Sequence, residues 1–215
     1  MAGSHSFDVL VIGSGASGLA AAVSAERAGA RVAVATKGSL QSCNSSKAQG
    51  GIQAAFGDDD SPELHAEDVW KSSHETADRR LVEILTTEAP SAIHWLEELG
   101  VEFTRAEAGS GSRNGRGGYR LARCGGASRK RLLQVGDRTG HAITKAFRDA
   151  WEAGGGTTFV NAALQDLTPG HGCWRARVGD EEVEATTVVL AAGGRCFREA
   201  EERGELSTNH PGATG

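Results

Sequence analysis

Three glycines near the N-terminus, Gly13, Gly15 and Gly18, have the spacing of a turn that binds the pyrophosphate of a dinucleotide. In such a turn the first glycine permits a tight bend, the second lets the main chain approach the pyrophosphate, and the third lets a helix pack on a strand. The helix N-terminus then offers free N–H groups and the positive end of its dipole to the negative charge. We therefore predict cofactor contacts from six residues: Gly13, Ser14, Gly15, Ala16, Ser17 and Gly18.

The residues that follow the second predicted strand bear on the identity of the dinucleotide. In many chains with this glycine pattern an acidic residue at that place binds the ribose hydroxyls. Here the place is taken by Thr36, followed by Lys37. A cation beside the ribose favours NADP, because a 2′-phosphate needs a positive partner. From these residues alone, NAD, NADP and FAD all remain open.

Two further glycine-rich segments are candidates for contact with a cofactor. The first is a loop whose main-chain N–H groups can face a flat ring system or a phosphate without side-chain clash. The second is a turn that directly follows a predicted buried strand. The loop lies within residues 44–51, and the turn lies within residues 191–194.

A strand–helix–strand unit must position the glycine turn. Residues 7–12 form an apolar run typical of a buried parallel strand, and residues 31–35 form a second one. The alanine-rich segment 16–28 between them predicts a helix, with Leu19 and Val23 on one face and Gly29 as its cap. This order is the context that the glycine pattern requires.

The rest of the chain predicts further helices and strands around this unit. Gly179 and Asp180 lie between two apolar segments and predict a β-hairpin. The sequence thus indicates an α/β fold, a Rossmann-like parallel sheet with a small β-hairpin addition. The predicted elements are a loop over 36–57; helices over 62–75, 79–88, 90–99 and 139–151; a short helix or turn over 198–203; and strands over 101–103, 157–160, 162–167, 174–178, 183–186 and 187–191.

Composition excludes several classes of protein. The 28 acidic and 23 basic residues give a net charge of −5, which argues against nucleic-acid binding. Between Arg113 and Arg138, however, seven Arg and one Lys face a single acid, Asp137, so this stretch carries a net charge of +7. Charge alone leaves two interpretations open: a solvated surface strip, or a positive rim for an anionic ligand.

The cysteines and the apolar segments bear on location. Four widely spaced cysteines without a CxxC pair argue against zinc, iron–sulfur clusters and a disulfide framework, and favour unpaired thiols in a reducing cytoplasm. They are Cys43, Cys124, Cys173 and Cys196. Because no apolar segment approaches the length of a membrane span, we expect a cytoplasmic protein without direct membrane insertion.

These motifs together resemble the flavoprotein superfamily of succinate dehydrogenase, fumarate reductase and L-aspartate oxidase. The resemblance rests on the Ala-Gln-Gly-Gly loop that ends at Gly51, on Thr36 followed by Lys37, and on three later matches. Those matches are residues 123–128 with Arg131, residues 137–141, and residues 191–194. The resemblance implies FAD as the cofactor. It also implies cofactor contacts from Asn44, Ser45, Ala48, Gln49, Gly50 and Gly51 in the loop and from Ala191, Ala192 and Gly193 in the turn. At position 44 some relatives carry a histidine bonded to the flavin, so Asn44 implies that FAD is bound non-covalently.

The resemblance also implies a reaction, which is hydride exchange between flavin N5 and the C2–C3 bond of a four-carbon dicarboxylate. An L-aspartate oxidase type is expected first, with a fumarate reductase or succinate dehydrogenase flavoprotein as the alternative. Aspartate oxidases carry a glutamate just before the two glycines where this chain has Cys124, which puts aspartate in doubt. His141 lies in a segment that is structural in the relatives, and no catalytic residue is assigned.

Residues 1–215 are expected to form the N-terminal portion of the FAD-binding domain, with the capping domain and later segments outside this chain. In the relatives the capping domain supplies the arginine that transfers a proton to the substrate. Two hypotheses follow. In the first, the chain is part of an oxidoreductase for a small dicarboxylate. In the second, it is a non-catalytic FAD-binding fragment or one half of a split enzyme. The second would need another chain or the capping domain as its partner.

Overall fold

The computed structural model describes residues 4–106 and 118–193, which fall into two compact units. The chain passes from the first unit to the second after Ala48 and returns to the first at Ile143. The elements in chain order are β1 Ser4–Ile12, α1 Ala16–Arg27, β2 Val32–Ala35, a 3₁₀ turn Ser45–Lys47, β3 Ile52–Gln53, α2 Pro62–Ser72, α3 Arg79–Glu98, β4 Leu132–Leu133, α4 Thr139–Gly154, β5 Thr157–Phe159, β6 Leu164–Pro169, β7 Trp174–Val178 and β8 Glu181–Leu190.

The first unit is built on a six-stranded sheet with the order β5-β2-β1-β8-β7-β6. The four strands β5, β2, β1 and β8 run parallel, while β7 and β6 continue the sheet as an antiparallel pair. The fold class predicted from the sequence is confirmed, including the hairpin, which turns at Gly179 with φ +57°. Such a hairpin turn favours glycine because a side chain is strained at positive φ.

Strand register brings the carboxyl ends of the parallel strands to one edge of this sheet. Ile12 of β1 is level with Ala35 of β2 and with Leu190 of β8, and Ala35 is level with Phe159 of β5. The residues that follow these strands therefore emerge together. Ligands of open parallel sheets bind at this edge.

Burial explains why the central strands carry uninterrupted apolar runs. Leu10, Val34 and Val183 are all buried in the core of the first unit. Helix α1 turns Leu19 and Val23 inward, as the four-residue spacing predicts. In helix α4, Trp151 is buried and donates from Nε1 to Thr158 Oγ1 at 2.9 Å, which ties the helix to β5.

The two predicted segments 183–186 and 187–191 form one ten-residue strand, β8. Its first half pairs antiparallel with β7, while β1 pairs parallel with it along almost its whole length. Strand β8 therefore loses its partner β7 halfway along, and the sequence predicts a boundary between two strands there. The backbone of β8 continues through this point without a break. The short helix or turn predicted over 198–203 lies outside the described residues.

The predicted helices 79–88 and 90–99 are also one element, the 20-residue helix α3, with Pro90 inside it. Proline removes one helical hydrogen bond and usually kinks or ends a helix. Buried residues on both sides of Pro90, among them Val82 and Ile93, lie on one face, so packing against the core holds the two halves together. The tertiary contacts therefore outweigh the local cost of the proline.

The predicted strand 101–103 is wrong. Val101 and Phe103 are buried, but Val101 N–H donates to Leu96 O at 2.9 Å and so closes helix α3 rather than pairing with a strand. Gly100 adopts φ +93° at this point, which is a common way to end a helix.

A buried ion cluster stabilises the second unit. The Arg131 side chain is fully buried and binds Asp60 through two hydrogen bonds, from Nε at 2.9 Å and from a terminal nitrogen at 2.7 Å. Its other terminal nitrogen donates to Asp68 at 2.6 Å, and Asp68 also accepts from the N–H and Oγ of Ser128. Arg131 therefore joins the start of helix α2 to the segment that precedes β4.

His65 lies beside this ion cluster and is 3% exposed. Burial, followed by the nearby charge of Arg131, lowers the pKa of His65 below its usual value. Its Nδ1 has no hydrogen-bond partner within the described ranges. A neutral imidazole next to the cluster avoids adding a second buried cation.

Replacement of Asp60 by alanine should destabilise the protein by about 3–5 kcal/mol, because Arg131 would keep its charge in the interior with one partner fewer. The matched control is Asp59→Ala, since Asp59 is an exposed neighbour that pairs with Arg129 at 3.5 Å. That change should cost about 0–1 kcal/mol. Urea unfolding of the two variants measures both values, and equal losses would contradict the role given to Arg131.

Candidate cofactor-binding site

At Gly13 and Gly18, main-chain segments of the first unit pack so closely that no side chain fits between them. Gly13 has φ +110°, and a Cβ there would lie 2.2 Å from the carbonyl oxygen of Ala191. A Cβ on Gly18 would lie 2.0 Å from the carbonyl oxygen of Gly13. These contacts explain the first and third glycines of the pattern: both positions exclude any side chain, so that turn, helix α1 and the end of β8 can pack together.

Gly15 has a different environment. It precedes helix α1 at φ −72° with no side-chain cap, and a Cβ there would meet only Ser45 Oγ, at 3.4 Å. Ala16 N–H donates to Ser45 Oγ at 3.2 Å. In the part of the chain that the structure describes, the N–H groups of Gly15, Ser17 and Gly18 have no acceptor. This helix end therefore offers open space and free donors, which is the arrangement that a pyrophosphate requires.

Thr36 lies at the end of β2 beside the glycine turn. Ser14 Oγ donates to Thr36 Oγ1 at 3.0 Å, and both residues are buried. Thr36 is also held by its main chain, since its N–H donates to Phe159 O and its carbonyl accepts from Ala162 N–H. The adjacent Lys37 is exposed.

The first part of the predicted flavin loop folds into the 3₁₀ turn Ser45–Lys47, which the sequence did not predict. Ser46 Oγ donates to Cys43 O at 2.8 Å and fixes the entry to the turn. Asn44 precedes the turn and Ala48 ends it, and both are exposed. Asn44 and Ala48 are therefore exposed at the two ends of the turn, while Ser45 contacts the start of helix α1.

The predicted turn after β8 lies against the glycine turn. Ala191 N–H donates to Ile12 O at 2.8 Å, which fixes the main chain at the point where it passes Gly13. Ala192 and Gly193 follow and are exposed, with Gly193 at φ +84°. Within the first unit the structure therefore brings together Gly13, Gly18, Thr36 and Ala191 at one sheet edge.

The remaining predicted contacts, Gln49, Gly50 and Gly51, open the second unit and are exposed. Gly51 has φ +137°, and a Cβ there would lie 2.5 Å from Leu133 O, so this glycine lets the loop pack on β4. Gln134 Nε2 donates to the carbonyl of Gly50 at 2.8 Å, while a Cβ on Gly50 would meet nothing within 4 Å. Gly50 is thus the position of this segment with open space around it.

Asn161 lies at the same edge as Thr36. The family resemblance implies that the segment 161–164 passes near the adenine, without an assigned residue. Asn161 adopts φ +53°, and its N–H donates to Gly38 O at 3.1 Å. The tolerance of asparagine for positive φ is a weak local signal. The pairing itself joins residues far apart in sequence, so only the fold reveals it.

Three further expectations concern membrane-spanning helices, the cysteines and the basic stretch between Arg113 and Arg138. No helix of the described chain is long and apolar enough to cross a membrane. Cys43, Cys124 and Cys173 are free thiols, and Cys196 lies outside the described residues. In the basic stretch, Arg131 is buried and Arg129 pairs with Asp59, whereas Arg120, Arg123, Lys130 and Arg138 are exposed.

Comparison with known proteins decides the family. The family described as FAD binding domain matches residues 8–215. The chain belongs to this FAD-binding family. L-aspartate oxidase of Streptomyces coelicolor is 37% identical over 199 residues, which cover 87% of this chain and 33% of the relative.

Two further similarities link the chain to other members of the superfamily. A mitochondrial succinate dehydrogenase flavoprotein of Xenopus laevis is 36% identical over 65% of this chain and 21% of its own length. The open conformation of a flavocytochrome c3 fumarate reductase superposes with a TM-score of 0.78 at 26% identity, over 93% of this chain and 36% of that one. The resemblance inferred from the motifs is confirmed, and FAD is the cofactor of the family. The chain spans about a third of the length of its aspartate oxidase relative.

We expect Gly15→Ala to keep the fold but weaken FAD binding, by on the order of tenfold (~1.4 kcal/mol). The added methyl group has room in the protein, yet it would hold a pyrophosphate away from the N–H groups of helix α1. Gly125→Ala is the control, because a Cβ there meets nothing within 4 Å and Gly125 is not a predicted contact. Flavin fluorescence quenching and thermal unfolding measure the two effects. Unchanged FAD affinity in Gly15→Ala would contradict this placement of the pyrophosphate.

Proposed function

We propose that this chain is the FAD-binding part of a flavoprotein oxidoreductase that acts on a four-carbon dicarboxylate, of the L-aspartate oxidase type. The observation that carries the proposal is the open, donor-rich N-terminus of helix α1 in a chain that belongs to the FAD-binding family. The 37% identity to an L-aspartate oxidase over 87% of the chain supports the substrate class.

The residues of the chain have distinct tasks in this proposal. The N–H groups of Gly15 and Ser17 bind the pyrophosphate, Ser45 completes that end of helix α1, and Thr36 meets the ribose of the adenosine half. When bound, FAD supplies hydride transfer, and the protein positions and tunes it.

Asn44 bears on how the flavin is held. Its side-chain amide is a weak nucleophile and cannot replace a histidine in a bond to the flavin ring. It is exposed at the start of the 3₁₀ turn, where it can donate and accept hydrogen bonds. We therefore propose that FAD is held non-covalently.

The alternative activity is that of a fumarate reductase or succinate dehydrogenase flavoprotein, which the 36% identity to a succinate dehydrogenase flavoprotein supports. Cys124 is half-buried in place of the glutamate expected for an aspartate oxidase, so it supports neither substrate directly. An NADP-binding reductase, for which Lys37 is the only support, is disfavoured by the FAD-binding family.

A non-catalytic role remains the second candidate function. The chain would then bind FAD without turnover and need a second chain or a capping domain to complete a dicarboxylate site. A cytoplasmic location, expected from the unpaired thiols, stays a prediction.

Anaerobic mixing of the FAD-loaded protein with L-aspartate or with succinate separates these candidates. With a capping domain present in the same sample, we expect bleaching of the flavin absorbance by L-aspartate and not by succinate. In that sample, bleaching by succinate alone would assign the alternative activity, and a stable flavin spectrum with both would assign the non-catalytic role. Acid precipitation of the same sample should leave the flavin in the supernatant, whereas a yellow pellet would contradict non-covalent binding.

A further inference from the structure

Helix α3 of the second unit has a second apolar face, which points to solvent. Val82 and Ile93 are buried on one side of the helix. On a different side, Leu81, Ile84 and Leu85 are 63%, 42% and 58% exposed. Spacings of three and four residues put these three side chains next to one another. A contiguous exposed patch of large apolar side chains is typical of an interaction site.

Two charged residues lie in the same face. Arg80, Ile84 and Glu88 follow one another at steps of four residues and form a row beside Leu81 and Leu85. Arg80 and Glu88 are exposed, and within the described residues neither takes part in an ion pair. They are about 12 Å apart along the helix axis. Because only residues three or four apart are neighbours on a helix, they do not pair within α3.

A partner that covers this face must therefore satisfy both charges as well as the leucines. An apolar partner would bury Glu88 without a cation, which is costly. A purely basic partner would neutralise Glu88 but repel Arg80, and a purely acidic one would do the reverse. The face requires an apolar surface with the two charges in the opposite order, and an antiparallel copy of α3 presents that order.

We propose that this face binds the same face of a second copy of the chain, with the two α3 helices antiparallel about a two-fold axis at Ile84. The axis sets Arg80 against Glu88 of the partner subunit, and symmetry repeats this ion pair at the other end. Such a self-complementary contact is the usual one in homodimers. It also brings a carboxylate to the first turn of α3, which has no acidic residue and where the helix dipole favours negative charge.

This inference goes beyond the proposed function and does not depend on the cofactor. Sedimentation velocity over a range of protein concentrations tests it. We expect the wild type to shift from a 22.3 kDa monomer towards twice that mass as the concentration rises. Arg80→Glu and Glu88→Arg should each weaken the dimer by about tenfold or more, because each sets like charges against each other at both ends of the contact.

An equal mixture of these two variants provides the sharpest test. Each opposed pair in the mixed dimer is again one cation and one anion, so the mixture should recover the affinity of the wild type. The control is Glu98→Arg, an exposed change at the far end of the same helix, which should leave the dimer unaffected. Far-UV circular dichroism should show the same helix content in all three variants.

Three results would overturn the proposal. The first is a wild type that stays monomeric at every concentration. The second is a loss of affinity in Glu98→Arg equal to that in Glu88→Arg, which would indicate a general effect of charge. The third is a mixture that associates as weakly as the single variants, because Arg80 and Glu88 of the two copies would then not face each other.

Discussion

The closeness of three main-chain segments, at Gly13, Gly18 and Ala191, is the constraint on which the binding edge of the first unit depends. A single methyl group at Gly13 or Gly18 would lie within 2.2 Å of a carbonyl oxygen. Because these segments meet, helix α1 begins directly at the edge where the parallel strands end. Because close packing, rather than a side chain at the N-cap, holds this end of helix α1 in place, the N–H groups of Gly15, Ser17 and Gly18 are left available for an anion.

The same edge shows how one sheet can combine several recognition tasks. Register places the residues after β1, β2 and β8 level with one another, so a turn, a hydroxyl pair and a second turn lie side by side. Of these, the glycine turn excludes side chains, and the Ser14 and Thr36 hydroxyl groups are hydrogen-bonded to each other beside it. A dinucleotide that spans this edge would meet main chain at its phosphates and a side chain at its ribose.

Much of this arrangement could be predicted from the sequence because its signals are local. The apolar run that ends at Ile12, the glycine spacing and the inward spacing of Leu19 and Val23 each report on a few neighbouring residues. Two of the predictions that were wrong depend on distant contacts. Pro90 marks a break in the sequence, but packing on both sides keeps helix α3 whole, and β8 crosses a change of partner without interruption. The Ser14–Thr36 bond and the Asn161–Gly38 bond join separate segments, so the sequence did not predict either pairing.

The central claim is that the first unit binds the ADP half of FAD, and competition for FAD binding tests it most directly. FAD would be titrated into the flavin-free protein and its binding followed by fluorescence quenching, with ADP or FMN as the competitor. The account predicts that ADP displaces FAD and that FMN, which lacks the adenosine and the second phosphate, competes far more weakly. Displacement by FMN with no effect of ADP would contradict it, because the flavin half alone would then carry the binding.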